Sequence, residues 1–264
     1  MSEQPAGRTA PGLIPGDTHA LRRLLPEAAE TTVAEQLAEL DLKALAHEHR
    51  PYVLVNFVSS VDGRATIEGR SGALGSATDA EMLQRLRTRV DAVMIGAGTM
   101  RAERYGRIVS DPALRAYRER TLLTHDPLAV IVSNRLELPW DAGLFSDGGG
   151  RVVVFTAADV EPPETATPVT VVRHEGGVDL GKALEWLRRE RGIRSLLCEG
   201  GPVLHGELQA AEVVDELFLT IAPKLVGREE RSILTAPLPE PAELELVWLL
   251  EAGSELFCRF KLAR

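Results

Sequence analysis

Glu199-Gly200-Gly201-Pro202 is the stretch of this sequence best suited to chemistry. A carboxylate stands at the end of a short apolar run, Leu196-Leu197-Cys198, and two glycines turn the chain into a segment, Val203 to Ala211, with helical character. Glycines that end a strand and open a helix leave backbone N–H groups and the positive dipole end facing one spot. That makes an anion cradle of phosphate size with an acid beside it. A second turn of the same kind, Gly96-Ala97-Gly98-Thr99, follows the apolar run Ala92 to Ile95. Gly96 and Gly98 begin a dinucleotide fingerprint, but Arg101 holds the third glycine position and no acidic strand end follows about 20 residues on. A plain tight turn explains the half-motif equally well. Two more polar clusters close apolar runs: Ser59 to Arg64, and Ser133-Asn134-Arg135.

These groups can meet only if the runs before them are neighbouring strands of one sheet. Tyr52 to Ser59, Ala92 to Ile95, Ala129 to Val132, Arg151 to Thr156, Val169 to Val172 and Val214 to Pro223 are β-rich and bounded by turn residues. Helices are expected over 80–90, capped by Thr78 or Asp79 with Met82, Leu83, Leu86 and Val90 inward, and over 179–191, capped by Asp179 and stopped by Gly192. Residues 101–128 are Arg-rich and polar, with Pro112 breaking the run. Leu244 to Leu250 and Leu256 to Leu262 form an antiparallel hairpin through Glu251-Ala252-Gly253-Ser254. The pattern is a single α/β domain with a mostly parallel sheet flanked by helices, over residues 50–264. Ligands of such sheets sit outside the carboxyl ends of the strands, where the polar clusters fall.

Residues 1–49 read differently. The first 18 or so are rich in Gly, Pro and small polar types and are expected to be disordered. Leu21 to Leu45 carry apolar residues for a helical or irregular arm docked on the domain. His47-Glu48-His49 has no third ligand nearby and reads as a solvated loop.

Composition excludes several classes. A net charge of −9 argues against nonspecific nucleic-acid or anionic-membrane binding. No apolar run reaches the ~20 residues a spanning helix needs, and the N-terminus lacks a signal-peptide pattern. Two cysteines, Cys198 and Cys258, sit in apolar surroundings and suit buried thiols in a reducing compartment. A cytoplasmic protein is expected.

VNFVSSVDGRAT, GRSG, Leu86-Arg87, VMIGAGTMRAERYG, LLCEGGPVLHGEL and VDELFLTIAPKLVG, in that order, resemble the reductase domain of riboflavin biosynthesis, whose fold is dihydrofolate-reductase-like. The resemblance covers about residues 50–262. The zinc signature of the deaminase paired with this domain in bifunctional relatives is absent, so a stand-alone reductase is expected. The resemblance implies NADPH-dependent reduction of a ribosylamino-pyrimidine phosphate to its ribitylamino product, by a homodimer acting on a small phosphorylated substrate. It implies catalytic roles for Glu199 and Glu103. Substrate would be held by Ser71, Arg87, Arg107 and Glu199. The cofactor would be held by Gly96, Gly98, Thr99, Glu103, Ser133, Arg135 and the Gly200, Gly201, Pro202, Val203, Leu204 turn, Arg135 pairing with the 2′-phosphate. Asp62 in SVDG belongs to the signature and also suits a purely structural turn. Two departures bear on the substrate: Ala73 where the family has tryptophan, and Glu103-Arg104-Tyr105 for Asp-Asp-Pro. The same fold reducing a pterin or dihydrofolate, or a non-catalytic nucleotide-binding protein, are the alternatives.

Overall fold

Alternating apolar residues along the strands put side chains on both faces of one sheet, and each face is covered by helices. The computed structural model describes residues 14–227, 229–235 and 237–263. One 11-stranded sheet runs through them. In chain order the elements are β1 (Ala20–Leu25), β2 (Ala29–Thr32), α1 (Val33–Ala38), β3 (Tyr52–Ser60), α2 (Ala77–Arg87), β4 (Ala92–Gly96), α3 (Ala97–Glu103) and α4 (Pro112–Arg120). Then follow β5 (Leu128–Val132), α5 (Gly143–Ser146), β6 (Val152–Thr156), β7 (Val169–Arg173), α6 (Leu180–Arg191), β8 (Ser195–Cys198), α7 (Pro202–Ala210), β9 (Glu216–Ala222), β10 (Leu244–Ala252) and β11 (Glu255–Leu262).

The strand order is β2-β1-β10-β11-β9-β3-β8-β4-β5-β6-β7. From β9 to β7 neighbours are parallel; from β2 to β9 they are antiparallel. Along β3 the side chains divide: Tyr52 and Leu54 pack with Met82 and Leu86 of α2 and Leu114 and Tyr117 of α4. Val53, Val55 and Phe57 pack with Leu184 and Leu187 of α6 and Leu204 and Leu208 of α7. Burying each such side chain contributes about 1.5–3 kcal/mol. The helices therefore lie on the faces their apolar stripes require.

Three expectations change. The segment expected as a helical or irregular arm instead contains the hairpin β1–β2, with β1 paired to β10 and only the short α1 after it. Leu21 points into the core while Arg22 meets Glu251 of β10 at 3.1 Å, the alternation a strand needs. Of the segment expected to be disordered, residues 1–13 lie outside the described residues. Ile14 is buried, and Arg85 donates to the carbonyls of Ile14, Pro15, Gly16 and Asp17. Secondly, Pro112 starts α4 rather than breaking a run: Asp111 caps the helix and proline at N1 lacks only an N–H that has no helical partner there. His47 does not face solvent alone; its ring lies 2.8 Å from Asp215, which Arg50 grips with two nitrogens, while Glu48 and His49 stay exposed.

Candidate functional site

The carboxyl ends of β3, β4 and β8 lie side by side, with Met94 of β4 and Val55 of β3 both in register with Cys198. This brings the two glycine turns together. Gly96 donates to the Gly200 carbonyl at 2.8 Å, and a Cβ on Gly96 would fall 3.3 Å from the Gly201 nitrogen. Gly200 has φ +87°, joined by a cis peptide to Gly201, and a Cβ there would meet the Phe57 ring at 3.0 Å. Glycine is required at this point. A Cβ on Gly201 would lie 2.9 Å from the Thr99 hydroxyl, so Thr99 and the start of α7 form one wall. No side chain caps α7, which leaves its first backbone donors available.

A cleft of about 780 Å³ opens beside these turns. Ser71, Gly98, Thr99, Glu103, Glu199, Gly201 and Pro202 line it, as the sequence predicts. Gly96 and Gly200 are buried in the turns behind that lining, Leu204 is buried in the first turn of α7, and Val203 beside it is exposed. Glu103 accepts from the Ser71 backbone N–H (3.1 Å) and hydroxyl (3.2 Å), which ties α3 to the glycine loop before α2.

Glu199 is not an open acid. Its oxygens accept from Arg87 Nε (2.6 Å) and Nη2 (2.7 Å) and from the Tyr105 hydroxyl (2.9 Å). The remaining nitrogen of Arg87 donates to the Ile108 carbonyl, and the side chain stands behind Glu199, outside the cleft lining. Burial opposes the Arg87 charge, but Glu199 and Tyr105 outweigh it and hold the guanidinium pKa above its usual value. Burial, with the Glu199 charge, pushes the Tyr105 hydroxyl well above the tyrosine range, so it stays a donor.

Three other expected residues are not brought to the cleft. Arg107 is locked to Asp126 through Nε (2.7 Å) and Nη2 (2.6 Å), because the chain after α3 carries it toward the Gly149 turn. Ser133 is buried at the end of β5 and Arg135 is exposed beyond it, both outside the lining. Asp62 is structural. It accepts from Ser60 (2.6 Å), Gly227 (2.9 Å) and Val226 (3.1 Å), and these bonds hold its carboxyl below the usual range.

Sequence reasoning missed Tyr105, Asp79 and Arg231 as cleft residues. Asp79 reads as a helix cap, yet Ser76 caps α2 and Asp79 sits in its first turn facing the cleft. Arg231 reaches the cleft through a tertiary pairing, Ala65 N–H to the Arg231 carbonyl at 2.7 Å. Only Tyr105 had a signal, its place two residues after Glu103 in a motif that departs from the family's.

The RibD C-terminal domain family matches residues 51–257. The 2,5-diamino-6-ribosylamino-4(3H)-pyrimidinone 5′-phosphate reductase of Archaeoglobus fulgidus is 32% identical over 184 residues, 67% of this chain and 83% of that protein. The reductase of the same name from Methanothermobacter thermautotrophicus is 27% identical over 221 residues, 80% of this chain and 98% of that protein. Among solved structures, a pyrimidine reductase-like protein from Corynebacterium diphtheriae superposes with a TM-score of 0.71 at 24% identity, covering 86% of this chain and 96% of that one. That last likeness speaks to fold alone, and the fold is dihydrofolate-reductase-like. With its glycine turns, acid and sheet order in the places described, this chain belongs to the RibD C-terminal domain family of riboflavin-pathway reductases.

Proposed function

We propose that the chain reduces a 6-(5-phosphoribosylamino)pyrimidine to its ribitylamino form in riboflavin biosynthesis, with NADPH as the reductant. The observation that carries this reading is the meeting of the two glycine turns at a cleft that also holds the Glu199–Tyr105 pair. Reductases named for such a substrate are its relatives. Gly98, Thr99, Gly201, Pro202 and the free N–H groups of Val203 and Leu204 would hold the cofactor diphosphate. NADPH supplies hydride; the protein orients both ligands and keeps water out. The opened ribose offers an imine-like carbon, which takes hydride while its nitrogen takes a proton. Glu199, fixed by Arg87 and Tyr105, has acceptor capacity left to orient the ribose hydroxyls. Arg231, exposed on the cleft wall, is the proposed phosphate partner in place of Arg107.

We assign the protein to the cytoplasm as a homodimer, with the exposed Leu244 and Leu246 of β10 as candidate apolar contacts. Among the described residues no helix is long and apolar enough to cross a membrane. The test is loss of NADPH absorbance on adding the ribosylamino-pyrimidine phosphate in its 2-amino and its 2-oxo form. Turnover of at least one is expected; turnover of neither removes the proposal.

A further inference from the structure

Five carboxylates line the cleft: Asp79, Glu103, Glu199, Glu229 and Glu230. Glu199 is held by Arg87 and Tyr105, and Glu103 by Ser71. Glu230 takes the Thr66 hydroxyl and the Glu68 N–H, and Glu229 stands exposed at the rim. Asp79 is placed differently. It projects from the first turn of α2, where Ala80 and Leu83 of the same helix and Val58 of β3 also line the cleft.

Its surroundings supply little. The Thr220 hydroxyl of β9 donates to its carboxylate. Glu255 of β11 faces it with like charge, and Glu255 has its own donors, the Ser76 N–H and hydroxyl. Gly75 makes the room: a Cβ there would fall 2.0 Å from an Asp79 oxygen. A half-buried carboxylate beside a like charge, with one hydroxyl donor, is short of partners that a ligand could provide.

We propose that Asp79 reads the edge of the substrate's pyrimidine ring, accepting from its ring N3–H and its 2-amino group, and so selects the 2-amino pyrimidinone over the 2-oxo pyrimidinedione. The inference rests on the reductase reading above and names the substrate form that reading leaves open. The chemistry is one of matching donors to acceptors. An ionised carboxylate only accepts. The 2-amino edge offers it two adjacent N–H donors, an amidine-like pair that both oxygens can take. The 2-oxo edge offers one donor flanked by carbonyl oxygens, which repel the anion. Val58 and Leu83 offer apolar surface to the flat ring beside that edge. Burial, reinforced by Glu255 and opposed by the Thr220 bond, pushes the Asp79 carboxyl up to about 6. Above neutral pH it is therefore ionised, and a ligand donor pair would favour that form further. A hydrogen bond to a charged group typically separates ligands by about 10–100-fold.

The experiment compares kcat/KM for the two phosphorylated pyrimidines, 2-amino and 2-oxo, in the full-length wild type and in Asp79→Asn. The asparagine keeps the shape and the Thr220 bond but presents an N–H to one of the ligand's donors. Wild type is expected to prefer the 2-amino form by at least about 30-fold, and the ratio should shrink by about 10–100-fold in Asp79→Asn. Because each ratio is taken within one preparation, partial loss of folded protein cancels. Preference of the wild type for the 2-oxo form, or an unchanged ratio in Asp79→Asn, overturns the assignment while leaving the reductase reading intact. Turnover of neither compound overturns both.

Discussion

At the scale of single residues, the site depends on how buried charge is compensated. Glu199 and Arg87 are both largely withdrawn from water, and each would be costly alone. Arg87→Met should therefore cost about 3 kcal/mol of stability and lower Tm by about 8 °C. It should also reduce kcat/KM sharply although Arg87 does not line the cleft; differential scanning fluorimetry and NADPH kinetics check the two effects. An unchanged Tm would mean the pair is not compensating as described. Tyr105→Phe removes a single hydrogen bond and should cost about 1–2 kcal/mol of transition-state stabilisation, seen as a 5–30-fold loss in kcat/KM. Asp79 makes a pH prediction. Its folded carboxyl titrates at about 6 against an ordinary 3.8, so between those values the folded state binds more protons than the unfolded. Its contribution to stability is therefore greatest in acid, falls as pH rises through that window, and is a constant penalty above it. Asp79→Asn should raise stability by about 2 kcal/mol at pH 8 and by much less at pH 4, measurable by urea unfolding at both.

At the scale of elements, the turns and caps matter more than helix propensity. Ser76 caps α2 through the Thr78 and Asp79 N–H groups and donates its hydroxyl to buried Glu255. Ser76→Ala removes both contacts and should cost about 1–3 kcal/mol by chemical unfolding, a larger loss than an exposed cap alone would give. The turn between β8 and α7 is shaped by close approach: Gly200 faces Phe57 and Gly201 faces Thr99. Its glycines were legible as a strand-to-helix cradle because the need for left-handed backbone and bare N–H groups is local. The start of α4 was not legible in the same way, since Pro112 serves equally as a helix breaker and a first-turn residue. Asp111, one position before it, decides between them.

At the scale of the molecule, the sheet extends past the parallel block through β9, β11, β10 and β1 to β2. The β1–β2 hairpin covers the edge of β10 and places Leu21 in the core, with Val33 and Leu37 of α1 buried beside it. Deleting residues 1–32 would bare that edge. Such a variant should lose several degrees in Tm and self-associate in size-exclusion chromatography, where the full chain should not form larger species beyond a dimer. Retention of wild-type Tm and elution would show that β1 and β2 contribute nothing to the sheet.

The sequence by itself determined the α/β class, the parallel core strands, helices α6 and α7, the C-terminal hairpin and the two glycine turns. Each of these is written in short-range terms: apolar period, cap, breaker and turn residue. Only tertiary structure decided which polar groups share the cleft. Arg87 and Arg107 look alike in sequence, yet one backs Glu199 and the other is held by Asp126, while Arg231 arrives from a distant loop. A side chain's partner is set by strand register and loop path across scores of residues, and no local pattern encodes that distance. The same reason hid Asp79, whose carboxyl acquires its character from Thr220 and Glu255 on strands far along the chain.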